Sequence, residues 1–362
     1  MKILHIIGGM DRGGAELYIM NTLRNIDRKK FHCDILTFMP PRDGKEYVFA
    51  NELKELGVKI IKVEDNRFRH PRRFMRDVEN VLRDGKYDAV HSHIDFMSCL
   101  TLSAARKAGV EKRFSHSHST NNSKINNVAM KLVCKVLRRG LNRNVTTRLA
   151  CGKDAGEFLY GKGKPFTIIR NGIDLQKFRY NANTRRMMRA KYDIDEEAIV
   201  FLNIGRFEAV KNQEQLINIF ADYYRKDKRA RLVIIGEGSL EQNIRDKIAS
   251  ERLQDVVLLL PSQDNVECFY SMSDIFLLPS LFEGVPTVGI EAQANGMKCL
   301  FSANVPSEAK LIDDTEFISL EDNWTSHITI SGRKRGDAFS EPSVQAYNIE
   351  NTVLKLEEVY SA

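Results

Sequence analysis

Short apolar runs alternate with helical periods along the whole chain. In the first half, runs of strand character cover Lys2–Ile7, Cys33–Phe38, Val58–Val63, Tyr87–Ser92, Arg113–His116 and Thr147–Cys151. Apolar residues recur at helical spacing near 13–25, 46–56, 71–84, 97–109, 125–141 and 152–160. The rhythm resumes in the second half, with strands at Ile199–Ile204, Leu232–Ile235, Val256–Leu260, Ile275–Leu278, Lys298–Phe301 and Glu316–Ser319. Its helices fall near 211–226, 239–250, 265–272, 286–296 and 306–312. Strands that alternate with helices build right-handed βαβ units and parallel sheets. Two such sets predict an α/β protein of two Rossmann-like domains. Asn171-Gly172 marks a turn between them, and Tyr180–Asp195 is a polar stretch with no apolar run. The last segment, Ala346–Tyr360, carries Ile349, Val353, Leu356 and Val359 on one helical face.

The length of 362 residues agrees with two domains at ~150 residues each. No apolar run reaches the ~18 residues of a membrane span. Met1–Gly9 reads as a buried strand entering a glycine turn, not as a signal peptide, so a cytosolic protein is expected. The six cysteines contain no C-x-x-C, and the nearest two, Cys134 and Cys151, are 17 positions apart. That spacing argues against a zinc knuckle or a redox dithiol and for buried thiols in a reducing compartment. The net charge of +7 is unevenly spread. Residues 1–180 hold 35 Lys and Arg against 19 Asp and Glu; residues 181–362 hold 20 against 29. A basic half joined to an acidic half predicts different partners for the two.

In open α/β sheets, ligands bind beyond the carboxyl ends of the strands. Three such positions carry chemistry here. After the first strand comes Gly8-Gly9-Met10-Asp11-Arg12-Gly13-Gly14-Ala15-Glu16. It is either a tight turn with a helix start or a place where backbone N–H groups approach a phosphate or sugar. It fits neither G-x-G-x-x-G nor a Walker loop. After Ile199–Ile204 come Gly205-Arg206 and, five positions on, Lys211. These are either solvated cations or a pair that neutralises a diphosphate. After Ile275–Leu278 comes Pro279-Ser280-Leu281-Phe282-Glu283-Gly284-Val285-Pro286-Thr287, with Glu291 a turn further on. Pro286 suits the first turn of a helix, where Gly284, Val285 and Thr287 would offer backbone donors. Two histidine pairs also sit at strand ends, His91-Ser92-His93 and His116-Ser117-His118. Residues i and i+2 share a face only while a strand continues, so metal geometry is not assured.

The order N-I-G-R-F-x-x-x-K-N, then I-I-G-E-G, then D-I-F-L-L-P-S-L-F-E-G-V-P-x-x-x-I-E-A resembles glycosyltransferase family 4. Glu283 and Glu291 match its E-x7-E spacing, and G-G-x-x-x-G-G-A-E and I-x-N-G-I-D-x-x-x-F match as well. The resemblance covers almost the whole chain. It implies the GT-B fold: two Rossmann-like domains facing each other across a cleft, with a C-terminal helix packing back on the first. On that basis the first domain is 1–178 plus 341–362 and binds the acceptor; the second is 179–340 and binds the donor. It also implies a retaining transfer from a nucleotide diphosphate sugar, with a UDP-sugar expected, and no metal or other cofactor.

By position, Arg206 and Lys211 would bind the donor diphosphate and stabilise the leaving group. Glu291 would bind ribose, and Glu283 the donor sugar, aided by the backbone from Gly284 through Val285, Pro286 and Thr287. Gly13 and Gly14 would border the diphosphate, and Gly236 and Glu237 the base. His118 best matches the family's sugar-contacting histidine, with His116 the competitor. After Met297 the chain resembles a Gram-positive subgroup that builds capsule or exopolysaccharide, which implies a lipid-linked saccharide acceptor. Two further readings are a sugar-nucleotide epimerase of the same fold and a non-catalytic sugar-nucleotide or membrane-binding module.

Two basic stretches bear on the partner. Arg67-Phe68-Arg69-His70-Pro71-Arg72-Arg73-Phe74 interleaves charge with Phe. Residues 125–143 read as a helix with Lys131, Lys135 and Arg138 on one face and Met130, Val133 and Leu137 on the other. No nucleic-acid motif accompanies them. An anionic membrane surface is the expected partner, with the protein peripheral on the inner face of the cell membrane.

Overall fold

The computed structural model describes residues 1–11, 13–41, 44–119, 128–329 and 335–362. Arg12 of the first glycine turn and residues 125–127 of the expected basic helix therefore lie outside the described residues. The chain divides into two compact units, Met1–Gly172 with Ile349–Ala362, and Ile173–Asn348. The division falls before 178/179 and after 340/341. Leu175, Phe178, Val344 and Tyr347 explain why: all four are buried in the core of the second unit.

The first unit holds seven parallel strands: β1 (Lys2–Ile6), β2 (His32–Thr37), β3 (Ile60–Lys62), β4 (Ala89–Ser92), β5 (Lys112–Ser117), β6 (Thr147–Ala150) and β7 (Thr167–Ile168). Their order is β3-β2-β1-β4-β5-β6-β7. The second holds six: β8 (Ile199–Ile204), β9 (Ala230–Ile235), β10 (Val257–Leu260), β11 (Ile275–Leu278), β12 (Lys298–Ser302) and β13 (Thr315–Ile318), in the order β10-β9-β8-β11-β12-β13. Each sheet is covered on both faces, which is why its strands read as nearly continuous apolar runs. Alternate residues feed opposite layers. Val200 and Leu202 enter one core of the second unit, and Ile199 and Phe201 the other. In both sheets the order reverses beside the first strand, between β1 and β4 and between β8 and β11. Those two switch points are where crevices form.

The C-terminal helix Ile349–Ser361 packs on the first unit. Its Ile349, Val353, Leu356 and Tyr360 join the core that contains Ile3 and Ile35.

Three local expectations change. The polar stretch at 180–195, which showed no element, contains the helix Ala182–Lys191, capped by Asn181 Oδ1, which accepts from the Asn183 and Thr184 N–H groups. Its Arg189 is buried and pairs with Asp274 at 2.8 Å, as Arg185 does. A helix whose inward anchors are arginines shows no apolar stripe. The helix expected near 306–312 is only a turn of 3-10 helix, Ser307–Ala309. β7 is two residues long, too short to leave a pattern. Among the described residues, no helix is long and apolar enough to cross a membrane.

Candidate functional site

At the switch point of the second sheet, two loops are stitched together. The chain leaves β8 through Gly205-Arg206-Phe207 and leaves β9 through Gly236-Glu237-Gly238. A Cβ on Gly236 would collide with the Gly205 carbonyl oxygen, and one on Gly238 with the Phe207 backbone. The glycines let the loops touch: the Phe207 N–H donates to the Glu237 carbonyl at 2.8 Å, and the Leu240 N–H to the Phe207 carbonyl at 3.0 Å. The Glu237 carboxylate accepts from the Ser262 N–H at 3.1 Å, which ties in the loop after β10. Arg206 is exposed.

Lys211 ends a 3-10 turn, Ala209–Lys211, and Asn212 follows in the left-handed region at φ 53°. Asn212 Nδ2 donates to the Pro279 carbonyl at 3.1 Å, and the Leu281 N–H to the Val210 carbonyl at 2.8 Å. These bonds hold the loop after β8 against the loop after β11. Across the join, Lys211 Nζ donates to Glu283 Oε1 at 2.6 Å. Ser280 Oγ donates to the same oxygen at 2.7 Å. The pair is mostly withdrawn from water, with side-chain exposures of 17% and 11%.

Pro286 stands one position earlier than expected, at the N-cap of the helix Thr287–Ala294 rather than in its first turn. Helix geometry then points the Thr287 and Val288 N–H groups out of the helix, beside Gly284 and Val285. Glu291 is buried on this helix and accepts from the Tyr270 hydroxyl at 2.6 Å. Burial raises its carboxyl to about 7. The Tyr270 hydroxyl also lies 3.2 Å from the Val288 carbonyl. A protonated Glu291 would donate to Tyr270, which would donate to Val288; an ionised Glu291 would take the Tyr270 proton for its own bond. The two glutamates are thus in different settings, one paired with a cation and one buried against a tyrosine hydroxyl.

In the first unit, Gly13 is the N-cap of the helix Gly14–Asn25. A Cβ on Gly14 would meet nothing within 4 Å. Packing does not require a glycine there.

The histidines are more deeply placed than their strand-end positions implied. His91 and His93 share a face with ring centroids 4.1 Å apart, and His116 and His118 do so at 4.2 Å. His5 of β1 joins them, its Nδ1 3.1 Å from His93 Nε2. His93 Nδ1 lies 2.9 Å from His118 Nε2. Five imidazoles therefore gather at the switch point of the first sheet. His116 is fully buried, whereas His118 is partly exposed. Burial lowers His5 and His118 to about 4, and holds His91, His93 and His116 well below the usual imidazole range. All five are neutral at physiological pH. Asp95, in the left-handed region at φ 45°, takes hydrogen bonds from the His118 backbone N–H and the Ser119 side chain, and burial raises its carboxyl to about 6.

Comparison with known proteins bears on both switch points. Residues 12–177 match the model described as Glycosyltransferase Family 4, and residues 184–327 the model described as Glycosyl transferases group 1. The putative glycosyltransferase EpsF of Bacillus subtilis is 31% identical over 99% of this chain and 96% of its own length. The chain belongs to glycosyltransferase family 4. The capsular polysaccharide biosynthesis glycosyltransferase CapH of Staphylococcus aureus is 27% identical over 99% of this chain and 98% of its own. Among solved structures, Anabaena HepE in complex with UDP superimposes with a TM-score of 0.80 at 15% identity, covering 100% of both chains. The transferase thus has the GT-B fold.

The structure of the transferase brings Lys211, Glu283 and the start of the helix Thr287–Ala294 to one switch point, with Arg206 in the adjoining loop. Sequence reasoning missed Ser280, Tyr270 and His5. Ser280 and Tyr270 act as partners of the named glutamates, and nothing in the local pattern marks a partner. His5 lies inside an apolar strand, where a single polar residue reads as an ordinary core position.

The basic stretches of the transferase are also redrawn. Arg138 does not belong to an open cationic face: its guanidinium donates to the Phe158 and Leu159 carbonyls at 2.7 and 3.1 Å. Phe74 is core, and Arg67 pairs with Asp65 and covers Phe38. What remains outside is Phe68, 78% exposed, with Arg69, His70, Arg72 and Arg73, and on the helix Val128–Asn144 the exposed Met130, Leu132, Val133 and Val136 beside Lys131 and Lys135.

Proposed function

We propose that this glycosyltransferase moves a sugar, with retention of configuration, from a UDP-sugar to a lipid-linked saccharide during capsule or exopolysaccharide synthesis. The observation that carries the reading is the joined Lys211–Glu283 pair at the mouth of a helix N-terminus. It offers a cation for a diphosphate and a carboxylate for a sugar hydroxyl within one hydrogen bond of each other. EpsF and CapH support the pathway by their names. The Escherichia coli UDP-Gal:alpha-D-GlcNAc-diphosphoundecaprenol alpha-1,3-galactosyltransferase, 29% identical over 61% of this chain, supports the donor and the diphosphate-lipid acceptor. The UDP bound in HepE supports the nucleotide.

In this reading Arg206 and Lys211 neutralise the diphosphate and no divalent cation is needed there. Glu283 holds a donor-sugar hydroxyl. Glu291 accepts from the ribose, and the Gly236-Glu237 turn borders the base. Gly13, Gly14 and His118 contribute from the first unit. The acceptor hydroxyl attacks on the face the diphosphate leaves. The anomeric carbon–phosphate oxygen bond breaks, a bond to the acceptor oxygen forms, and the acceptor proton passes to the leaving phosphate oxygen.

The same reading has the protein bind an anionic membrane peripherally, and the exposed Lys131, Lys135 and their apolar neighbours support it. The test is incubation with UDP-sugars with and without a lipid-diphosphate saccharide. The reading expects an α-linked product that forms only when the acceptor is present. Isomerised donor formed without acceptor would contradict it and indicate an epimerase.

A further inference from the structure

We propose that His5, His91 and His93 form a binding site for a single transition-metal ion of the Zn2+ class, one hydrogen bond behind His118. Five imidazoles packed at one switch point leave many ring nitrogens to account for. His5 Nε2 and His91 Nε2 are buried with no hydrogen-bond partner among the described residues, and a metal on the inner side of the cluster would occupy His91 Nε2. Buried polar atoms are nearly always satisfied, and each exception needs an explanation.

The ligand atoms of His5, His91 and His93 all lie within 4.8 Å of one another. Nitrogens bound to one tetrahedral Zn2+ at about 2.0–2.1 Å stand about 3.3 Å apart. His5 Nδ1 and His93 Nε2, at 3.1 Å, already have that spacing. His91 and His93 are i and i+2 at the end of β4, so both rings project to one side and meet His5 from the neighbouring β1.

Outer partners can hold the tautomers that such a site requires. His91 presents the Nε2 lone pair when its Nδ1–H donates to the Tyr360 hydroxyl, 2.6 Å away. His93 presents its Nε2 lone pair when its Nδ1–H donates to His118 Nε2, 2.9 Å away. A proton on His5 Nε2 completes the set and bares His5 Nδ1. Each ring then turns one lone pair inward. Such outer partners orient ligating histidines in metal sites generally. Imidazole nitrogen suits Zn2+, Co2+, Ni2+ or Cu2+ and not Mg2+, so the site differs in kind from a diphosphate-bridging cation.

A second triad, His93, His116 and His118, also satisfies the spacing. It shares His93, and His118 is partly exposed, whereas His5, His91 and His93 are all buried. In the first triad, His91 and His93 bond outer partners at 2.6 and 2.9 Å.

The test is Co2+ titration of chelator-stripped full-length protein, read by the visible absorption of low-coordinate Co2+ and by metal analysis. We expect one ion per chain, displaced by Zn2+ and not by Mg2+. His5→Gln and His91→Gln should lose the signal, and His116→Gln should keep it. Tyr360→Phe should weaken binding about 10- to 100-fold, because it removes an outer partner and no ligand. Circular dichroism checks that each variant folds. Where a His variant does not fold, Zn2+ X-ray absorption on the wild-type protein decides: three imidazoles support the site. A shell of water and carboxylate would overturn it, as would a folded wild-type protein that binds no Co2+. Loss in His116→Gln with retention in His5→Gln would also overturn it.

Discussion

Lys211 Nζ and Glu283 Oε1 lie 2.6 Å apart, bridging the loops that leave β8 and β11. The contact joins the N-I-G-R-F-x-x-x-K motif to the first glutamate of E-x7-E, two features 72 positions apart in sequence. Each group fixes the other. Ser280 holds the shared oxygen from the far side.

The pair separates a structural from a chemical role. Lys211→Met leaves Glu283, mostly withdrawn from water, with Ser280 and without its cation, and should cost about 1–3 kcal/mol of stability. Lys211→Met with Glu283→Gln removes both charges and should recover most of that loss. Transfer should not recover, because the cation facing the diphosphate is still missing. Urea unfolding and transfer assays on the single and double variants check this. Joint recovery of stability and activity would mean that the pair only shapes the loop.

Glu291 makes stability depend on pH in an uncommon direction. Its carboxyl is raised from 4.5 to about 7, so the folded state keeps a proton that the unfolded chain has lost. The contribution is full below pH 4.5 and is lost as pH rises through about 7, a span of about 3 kcal/mol. Glu291→Gln should remove that slope, measured as the wild-type minus variant difference in unfolding free energy between pH 5 and 8. Hydroxyl donors from a ribose favour the carboxylate. UDP affinity should therefore rise over the same pH range, with proton release seen by calorimetry in buffers of different ionisation enthalpy.

Two glycines should behave oppositely. Gly236→Ala drives a Cβ into the Gly205 carbonyl, backbone against backbone, and should destabilise by about 3 kcal/mol or more. Gly14→Ala enters open space and should leave the melting temperature unchanged. If Gly14 borders the donor, its alanine variant should raise KM for the UDP-sugar. Thermal melts and steady-state kinetics on both variants settle the point.

Membrane attachment should depend on the exposed part of the helix Val128–Asn144. Lys131→Glu with Lys135→Glu should weaken binding to anionic vesicles more than tenfold, given about 1 kcal/mol per basic residue near the surface. Leu132→Ser with Val136→Ser should reduce the fraction that resists high salt. Arg138→Ala should act mainly on stability, since its guanidinium is bound to carbonyls. Vesicle sedimentation at two salt concentrations reads all three.

The parallel sheets were legible because their strands are buried on both faces and so read as continuous apolar runs. The glycine turns and the E-x7-E loop were legible because chain reversals and helix starts need particular residues nearby in sequence. Partners from distant segments were not. Tyr270 reaches Glu291 across 21 positions, and Tyr360 reaches His91 across 269. The helix Ala182–Lys191 was hidden because Arg185 and Arg189 share its inward face with one buried apolar side chain, Met188. The histidine cluster was half visible: two H-x-H pairs stood out, but His5 and the common face of all five required the strand order.

The central claim is that Arg206 and Lys211 neutralise a departing nucleoside diphosphate. The most direct measurement is turnover of Arg206→Ala and Lys211→Ala with UDP-sugar and a lipid-diphosphate saccharide, in the presence of EDTA. The account predicts that the wild-type enzyme remains active and that each variant loses about 10²- to 10³-fold in kcat with its fold intact. Variants that turn over as fast as the wild type, or wild-type activity that vanishes with EDTA and returns with Mg2+, would contradict it.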